Sequence, residues 1–137
     1  MVVDTIKETI CVLLVDDDPA DRRLVQLALD RSSAEVDFNI VAVETLSEAI
    51  EYLDTRRCDI ILLDLGLPDS CGVETVQRMH EADANIPIVV LTGAADGEMA
   101  LDAIRSGAED YLVKGKPLEF ALVRIIRYTV ESKRTEQ

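Results

Sequence analysis

Four short apolar runs in this chain each end on a residue suited to cation or phosphoryl chemistry. Residues 12–15 lead into Asp16 and Asp17, residues 60–63 into Asp64, residues 88–91 into Thr92, and residues 111–113 into Lys114. If these runs are neighbouring parallel strands, their carboxyl ends lie side by side, at the edge where open α/β sheets bind ligands. Three carboxylates crowded there repel one another, and one would take up a proton unless a positive charge intervenes. Magnesium answers that need: it takes hard oxygen ligands and commonly joins one or two carboxylates to a phosphate. Asp16, Asp17 and Asp64 therefore read as a Mg2+ site that works with a phosphoryl group. Asp64 is the candidate nucleophile, because a carboxylate can form an aspartyl phosphate. Lys114 offers a compact positive charge to a phosphoryl oxygen, and Thr92 a hydroxyl donor. Offsetting charge in the transition state is the main task in phosphoryl transfer.

The elements that must position these residues follow from the pattern of apolar runs, loops and helical stretches. Strands are expected at residues 11–15, 38–43, 59–63, 88–91 and 110–113. Their continuous apolar character is what burial on both faces requires. Asp18 before Pro19 makes a helix N-cap with proline at the first helical position, and Leu24, Val25, Ala28 and Leu29 recur at helical spacing. Thr45 caps a helix through Leu53. Gly66, Pro68 and Gly72 constrain the loop after Asp64. Helices follow at 73–82 and 98–106, the second stopped by Gly107, and a last one begins at Pro117 and runs past Val130. Its residues Leu118, Ala121, Leu122, Ile125 and Thr129 are expected to face the sheet, with Val123, Ile126 and Val130 as a second apolar stripe that could meet a partner.

Strands alternating with helices imply a doubly wound parallel sheet with right-handed crossovers. The flavodoxin-like order 2-1-3-4-5, with five helices, makes the ends carrying Asp16-Asp17 and Asp64 adjacent.

Together, the stretches VLLVDDDP, IILLDLGLPDSCG, IVVLTGA and DYLVKGKP resemble the receiver domain of two-component response regulators, over nearly the whole chain and with a chemotaxis-regulator-like fold. The resemblance implies a phosphoacceptor at Asp64, direct Mg2+ binding by Asp17, action of Asp16 largely through water, and a ligand from the backbone carbonyl of Gly66. It implies that Thr92 and Tyr111 move together on phosphorylation and change the surface of the fourth helix, fifth strand and fifth helix. Its donor would be a histidine kinase or phosphotransfer protein. The chain departs from the family pattern at Lys114, which is followed by Gly115, with proline only at position 117. The positions two after Asp64 and two after Thr92 are Gly66 and Ala94, both small, so no bulky side chain there should set the phosphoaspartate lifetime.

Length and composition agree. The 137 residues suffice for one domain, expected at 10–130 between an extension (1–9) and a tail or linker start (131–137). A net charge of −13, without a basic patch, argues against direct nucleic-acid binding. No apolar window is long enough for a membrane span, the first residues lack a signal-peptide core, and the odd number of cysteines (Cys11, Cys58, Cys71) suits a reducing compartment, so the expected location is cytoplasmic. His80 is expected on a helix surface.

The expected function is a signalling switch, not an enzyme with a released product. Its alternatives are a phosphorelay intermediate, or the receiver portion of a larger protein with a separate output domain. A homodimer partner or an output domain would dock on the last helix. A magnesium-dependent phosphatase with an aspartate nucleophile would want a second acid two residues after the first, where this chain has Gly66. A scaffold that is never phosphorylated would have no need of the full set of site residues.

Overall fold

The computed structural model describes residues 8–31, 36–93, 97–114 and 118–136. The strands β1 (Glu8–Val15), β2 (Val36–Val43), β3 (Ile60–Asp64), β4 (Ile88–Thr92) and β5 (Asp110–Val113) form one parallel sheet. Their order is β2-β1-β3-β4-β5, the flavodoxin-like order expected. The helices are α1 (Pro19–Arg31), α2 (Leu46–Thr55), α3 (Val73–Ala82), α4 (Gly97–Arg105) and α5 (Leu118–Glu136).

Alternation along each strand divides the core in two. Ile10, Val12 and Leu14 of β1 point to one face with Ile60 and Leu62, where they pack with Val25 and Leu29 of α1 and with Leu122 and Ile126 of α5. Leu13 and Val15 point to the other face with Ile61 and Leu63, against Leu46, Val76, Met79 and Ala103 from α2, α3 and α4. Both faces are covered, so residues 10–15 of β1 and 60–63 of β3 are apolar at every position. Each fully buried aliphatic side chain contributes roughly 1.5–3 kcal/mol, and the central strands concentrate that stabilisation directly beneath the polar strand ends.

Local capping places the helix starts beside those ends. Asp18 accepts the backbone N–H of Ala20 at 2.9 Å, fixing the start of α1 immediately after Asp16 and Asp17. Thr45 Oγ1 accepts the N–H of Glu48 at 3.0 Å and donates its hydroxyl to the Glu48 carboxylate at 3.1 Å, capping α2. Gly107, at φ +123°, terminates α4 in a conformation other residues resist.

Several boundaries differ from the sequence expectation. The first strand starts at Glu8 rather than Cys11 and pairs with β2 from Glu8↔Val36 to Val15↔Val43. Pairing continues past the doubly buried segment, whereas hydrophobicity marks only that segment. The loop after Asp64 contains a short antiparallel hairpin, Gly66–Leu67 against Ser70–Cys71. The buried face of α5 centres on Leu122, Ile126, Thr129 and Val130. Ile126 and Val130, assigned to a second stripe, therefore belong to the core, and Val123 packs half-buried against it. The helix is continuous from Leu118 to Glu136. His80 is half-buried rather than on an open surface: a Cβ built on Gly107 would lie 2.8 Å from its Cγ. The three cysteines are unpaired, with Cys71 exposed. Ala94, Gly115 and Pro117 lie outside the described residues, as do residues 1–7 of the N-terminal extension and Gln137.

Candidate phosphoacceptor and cation site

Register brings the strand ends together. Val15 pairs with Leu63 and Asp64 with Leu91, so β1, β3 and β4 finish nearly level. Oxygens of Asp16, Asp17 and Asp64 all lie within 4.8 Å of one another. They differ in access: Asp16 is fully buried, Asp17 exposed and Asp64 between the two.

Asp16 is held from several directions. Its N–H donates to the Val43 carbonyl at 3.0 Å, its Oδ1 accepts the N–H of Asp18 at 3.0 Å, and its carbonyl accepts Arg22 Nη1 at 2.9 Å. Arg22 also lies 3.4 Å from Glu44 at the end of β2. Asp16 Oδ2 sits 2.9 Å from Lys114 Nζ, at an angle that makes no hydrogen bond, so this buried oxygen accepts none. Asp64 lies at the end of β3 and accepts the N–H of Gly66 at 3.3 Å.

Lys114 reaches across the sheet edge. Its Nζ donates to Asp21 Oδ2 at 2.8 Å and stands 3.3 Å from Asp64 Oδ2. Its own N–H donates to the Thr92 carbonyl at 2.7 Å, so the ends of β4 and β5 are tied together. Thr92 is half-buried at its strand end. Tyr111, opposite Val90, is half-buried against the cluster beneath α3 and α4.

Among the described residues the site is short of positive charge. Burial raises Asp64 above the ordinary carboxylate range; Lys114 pulls it down, and Asp16 pushes it up again. Burial by itself would lower Lys114, but pairing with Asp16 and Asp21 and the charge of Asp64 outweigh it and hold the ammonium well above its usual value. One ammonium thus serves Asp16, Asp21 and Asp64. The converging hard oxygens and the buried Asp16 oxygen without a hydrogen bond suit Mg2+. Asp16, Asp17 and Asp64 are the residues that would hold it, and the ion would supply charge compensation for a phosphoryl oxygen.

The structure gathers Asp16, Asp17, Asp64 and Lys114 into one cluster; Thr92 and Gly66 adjoin it, and Tyr111 lies deeper on β5. Asp21 and Asp69 were not singled out from the sequence as site residues. Asp21 is the third residue after the Asp18 cap, where an acid normally serves the helix dipole; counting that turn toward the strand end would have found it. Asp69 accepts the N–H groups of Leu46 and Ser47 through its two oxygens, both at 2.9 Å. Desolvation pushes its pKa up, but the hydrogen bonds from Ser47 and Leu46 together outweigh it and hold the carboxyl below its usual value, and they fasten the hairpin after Asp64 to the start of α2.

A cleft of about 450 Å³ opens at the opposite, amino edge of the sheet, lined in part by Cys58, Asp59, Asp83 and Lys133. It lies away from the carboxylate cluster and mixes both charge signs.

Known proteins resemble this chain in sequence and fold. Residues 12–126 match the response regulator receiver domain family. The chain is 35% identical over 127 residues to the C4-dicarboxylate transport transcriptional regulatory protein DctD of Pseudomonas aeruginosa, a match covering 90% of this chain and 26% of that protein. It is 33% identical over 114 residues to the virulence transcriptional regulatory protein PhoP of Salmonella typhimurium, covering 83% and 49% respectively. The chain thus spans about a quarter to a half of the length of these curated relatives. In fold it is similar to a CheY-like receiver domain protein from Methanospirillum hungatei (TM-score 0.80, 21% identity, covering 96% of this chain and 100% of that one). It is likewise similar to the receiver domain of an HD domain-containing protein from Pseudomonas fluorescens (TM-score 0.82, 23% identity, covering 99% and 97%). Members of that family bind Mg2+ at an acidic pocket and interact with histidine kinases or phosphotransfer proteins. With its sheet order, its acid cluster and a match over most of its length, this chain belongs to the response regulator receiver domain family of two-component signalling.

Proposed function

We propose that this chain is a phosphorylation-dependent switch whose phosphoacceptor is Asp64. The observation that carries this reading is the placement of Asp64 at the centre of the cluster, with Lys114 Nζ 3.3 Å away and the Asp16 and Asp17 carboxylates within 4.8 Å. A carboxylate oxygen of Asp64 attacks the phosphorus of a phosphohistidine donor. The O–P bond forms as the P–N bond breaks, and the departing imidazole nitrogen keeps the electron pair and takes a proton from solvent. Asp16, Asp17 and Asp64 would hold Mg2+ together with the Gly66 carbonyl, and the ion would offset charge on the phosphoryl group. Lys114 neutralises a phosphoryl oxygen, and the Thr92 hydroxyl donates to another.

Thr92 and Tyr111 transmit the change. Thr92 moves toward the phosphoryl group, and Tyr111, half-buried below it, follows into the space released beside α4. The responding surface is α4-β5-α5, on which Leu101, Ile104, Val113 and Tyr128 already point outward. A dimer partner or an output domain meeting α5 would use Tyr128 rather than the buried Ile126 and Val130. Gly66 leaves open space beside Asp64, since a Cβ built there meets nothing within 4 Å; side-chain bulk at that position therefore does not limit the phosphoaspartate lifetime.

Among the described residues no helix is long and apolar enough to cross a membrane, and we place the switch in the cytoplasm, with its histidine donor. The receiver unit is taken as residues 10–130, with residues 1–9 as an extension and 131–137 leading into a linker. The relatives named above are transcriptional regulatory proteins of which a receiver is only part, which favours attachment to an output domain over a stand-alone relay intermediate. Incubation with acetyl phosphate and Mg2+ followed by intact-mass measurement tests the reading. Wild type gains one phosphoryl group and Asp64→Asn gains none; wild type that stays unmodified overturns it.

A further inference from the structure

Asp21 has a stronger claim on the Lys114 ammonium than the phosphoacceptor has. The Lys114 Nζ is 2.8 Å from Asp21 Oδ2, where it donates a hydrogen bond, and 2.9 Å from Asp16 Oδ2, whereas Asp64 is at 3.3 Å. Asp21 projects from the first turn of α1, a different element from the strand ends that carry the cluster. It is 27% exposed, against 15% for Lys114, so the contact is shielded on the lysine side and open on the acid side. The Asp18 cap and the Pro19 start fix this turn. Asp21 is therefore presented by rigid backbone, not by a wandering surface chain.

We propose that Asp21 is a positioning residue that holds the Lys114 ammonium toward α1, keeping Asp64 available to a cation and yielding the ammonium when a phosphoryl group arrives. Two opposed consequences follow from charge alone. Without Asp21, Lys114 shifts further onto Asp16 and Asp64, and a cation must displace it from the very oxygens it needs. Once a phosphoryl group is present, Asp21 instead competes with it for the same ammonium. Losing Asp21 should thus weaken cation binding to the unmodified protein and strengthen binding of a phosphoryl mimic. Generalised damage to the site would weaken both.

This inference rests on the phosphoacceptor reading, and the test separates the two. Mg2+ is titrated against wild type, Asp21→Asn and Asp21→Glu with a spectroscopic or calorimetric readout. Beryllofluoride is then titrated at saturating Mg2+. Asp21→Asn should bind Mg2+ about five- to tenfold more weakly, the scale of one removed charge at partly shielded range. The same variant should bind beryllofluoride several-fold more tightly, and Asp21→Glu, which keeps the charge and can still reach Lys114, should return both affinities toward wild type. Asp21→Asn behaving as wild type in both titrations, or weakened in both, overturns the role of Asp21 while leaving the phosphoacceptor reading intact. Wild type that binds neither Mg2+ nor beryllofluoride overturns both.

Discussion

The two edges of the sheet use the same kinds of side chain to opposite ends. At the amino edge, Glu8, Asp59 and Glu109 each have a basic partner. Arg134 pairs with Glu8 and lies 3.7 Å from Asp59, and Lys133 lies 3.5 Å from Glu109. Asp59 also accepts the N–H of Cys11 at 2.8 Å, while the Cys11 carbonyl accepts the N–H of Asp59. Burial, aided by the charges of Asp59 and Asp83, pushes the neighbouring Cys58 thiol up to about 12, so it stays protonated and inert. At the carboxyl edge a single ammonium among the described residues faces the carboxylates of Asp16, Asp21 and Asp64, and a buried oxygen of Asp16 accepts no hydrogen bond. The amino edge is finished by folding. The carboxyl edge is held in an unsatisfied state by the aliphatic strands beneath it, and that deficit is what a cation and a phosphoryl group can relieve.

Removing the shared ammonium should break the contrast most severely. Lys114→Met leaves buried carboxylates without compensation, and the metal-free protein should lose about 2–3 kcal/mol, somewhat below a fully buried pair because the site is partly solvated. Millimolar Mg2+ should restore much of that loss by binding the folded state alone. Thermal melts with EDTA or with Mg2+ check this; an equal loss in both would mean that the carboxylates do not depend on charge compensation.

Removing one of the repelling acids should have the reverse sign and a smaller size. Because the folded state raises the pKa of Asp64, it binds the proton more tightly than the unfolded chain does. Wild-type stability therefore falls as pH rises from the ordinary carboxylate value through the raised one, and the penalty persists above it. Asp64→Asn should melt higher than wild type in EDTA at neutral pH, by less than Lys114→Met loses, with the gap closing as pH falls from the raised value toward the ordinary carboxylate value of about 4. A gap that widens in acid would reverse the sign of the shift.

The amino edge should respond least. Arg134 is 48% exposed, and Arg134→Ala should cost less than about 1 kcal/mol, with most of it gone at high salt. A loss as large as that of Lys114→Met would erase the distinction between the two edges.

The carboxyl edge was legible in the sequence because strands buried on both faces leave uninterrupted aliphatic runs, and their polar terminators stand out against them. Asp16, Asp17, Asp64, Thr92 and Lys114 could be aligned from that signal alone. Caps with a single-residue chemistry, such as Asp18 before Pro19, were equally readable. Contacts between elements were not. Asp21 looks like an ordinary first-turn acid until β5 brings Lys114 to it, and Asp69 looks like a turn residue until the hairpin lays it across the start of α2. The broad apolar surface of α5 was split into two stripes because spacing gives a helix's periodicity but not the width of the groove that receives it. His80 showed no signal in the chain for its packing over Gly107, which depends on how α3 meets the end of α4.

Locating the phosphoryl group tests the central claim most directly. After brief labelling with acetyl phosphate and Mg2+, borohydride reduction converts a phosphoaspartate to homoserine, and peptide mass spectrometry finds the residue. The account predicts homoserine at position 64 alone, abolished by EDTA. Homoserine at Asp16, Asp17 or Asp21, or labelling that proceeds unchanged in EDTA, would contradict it.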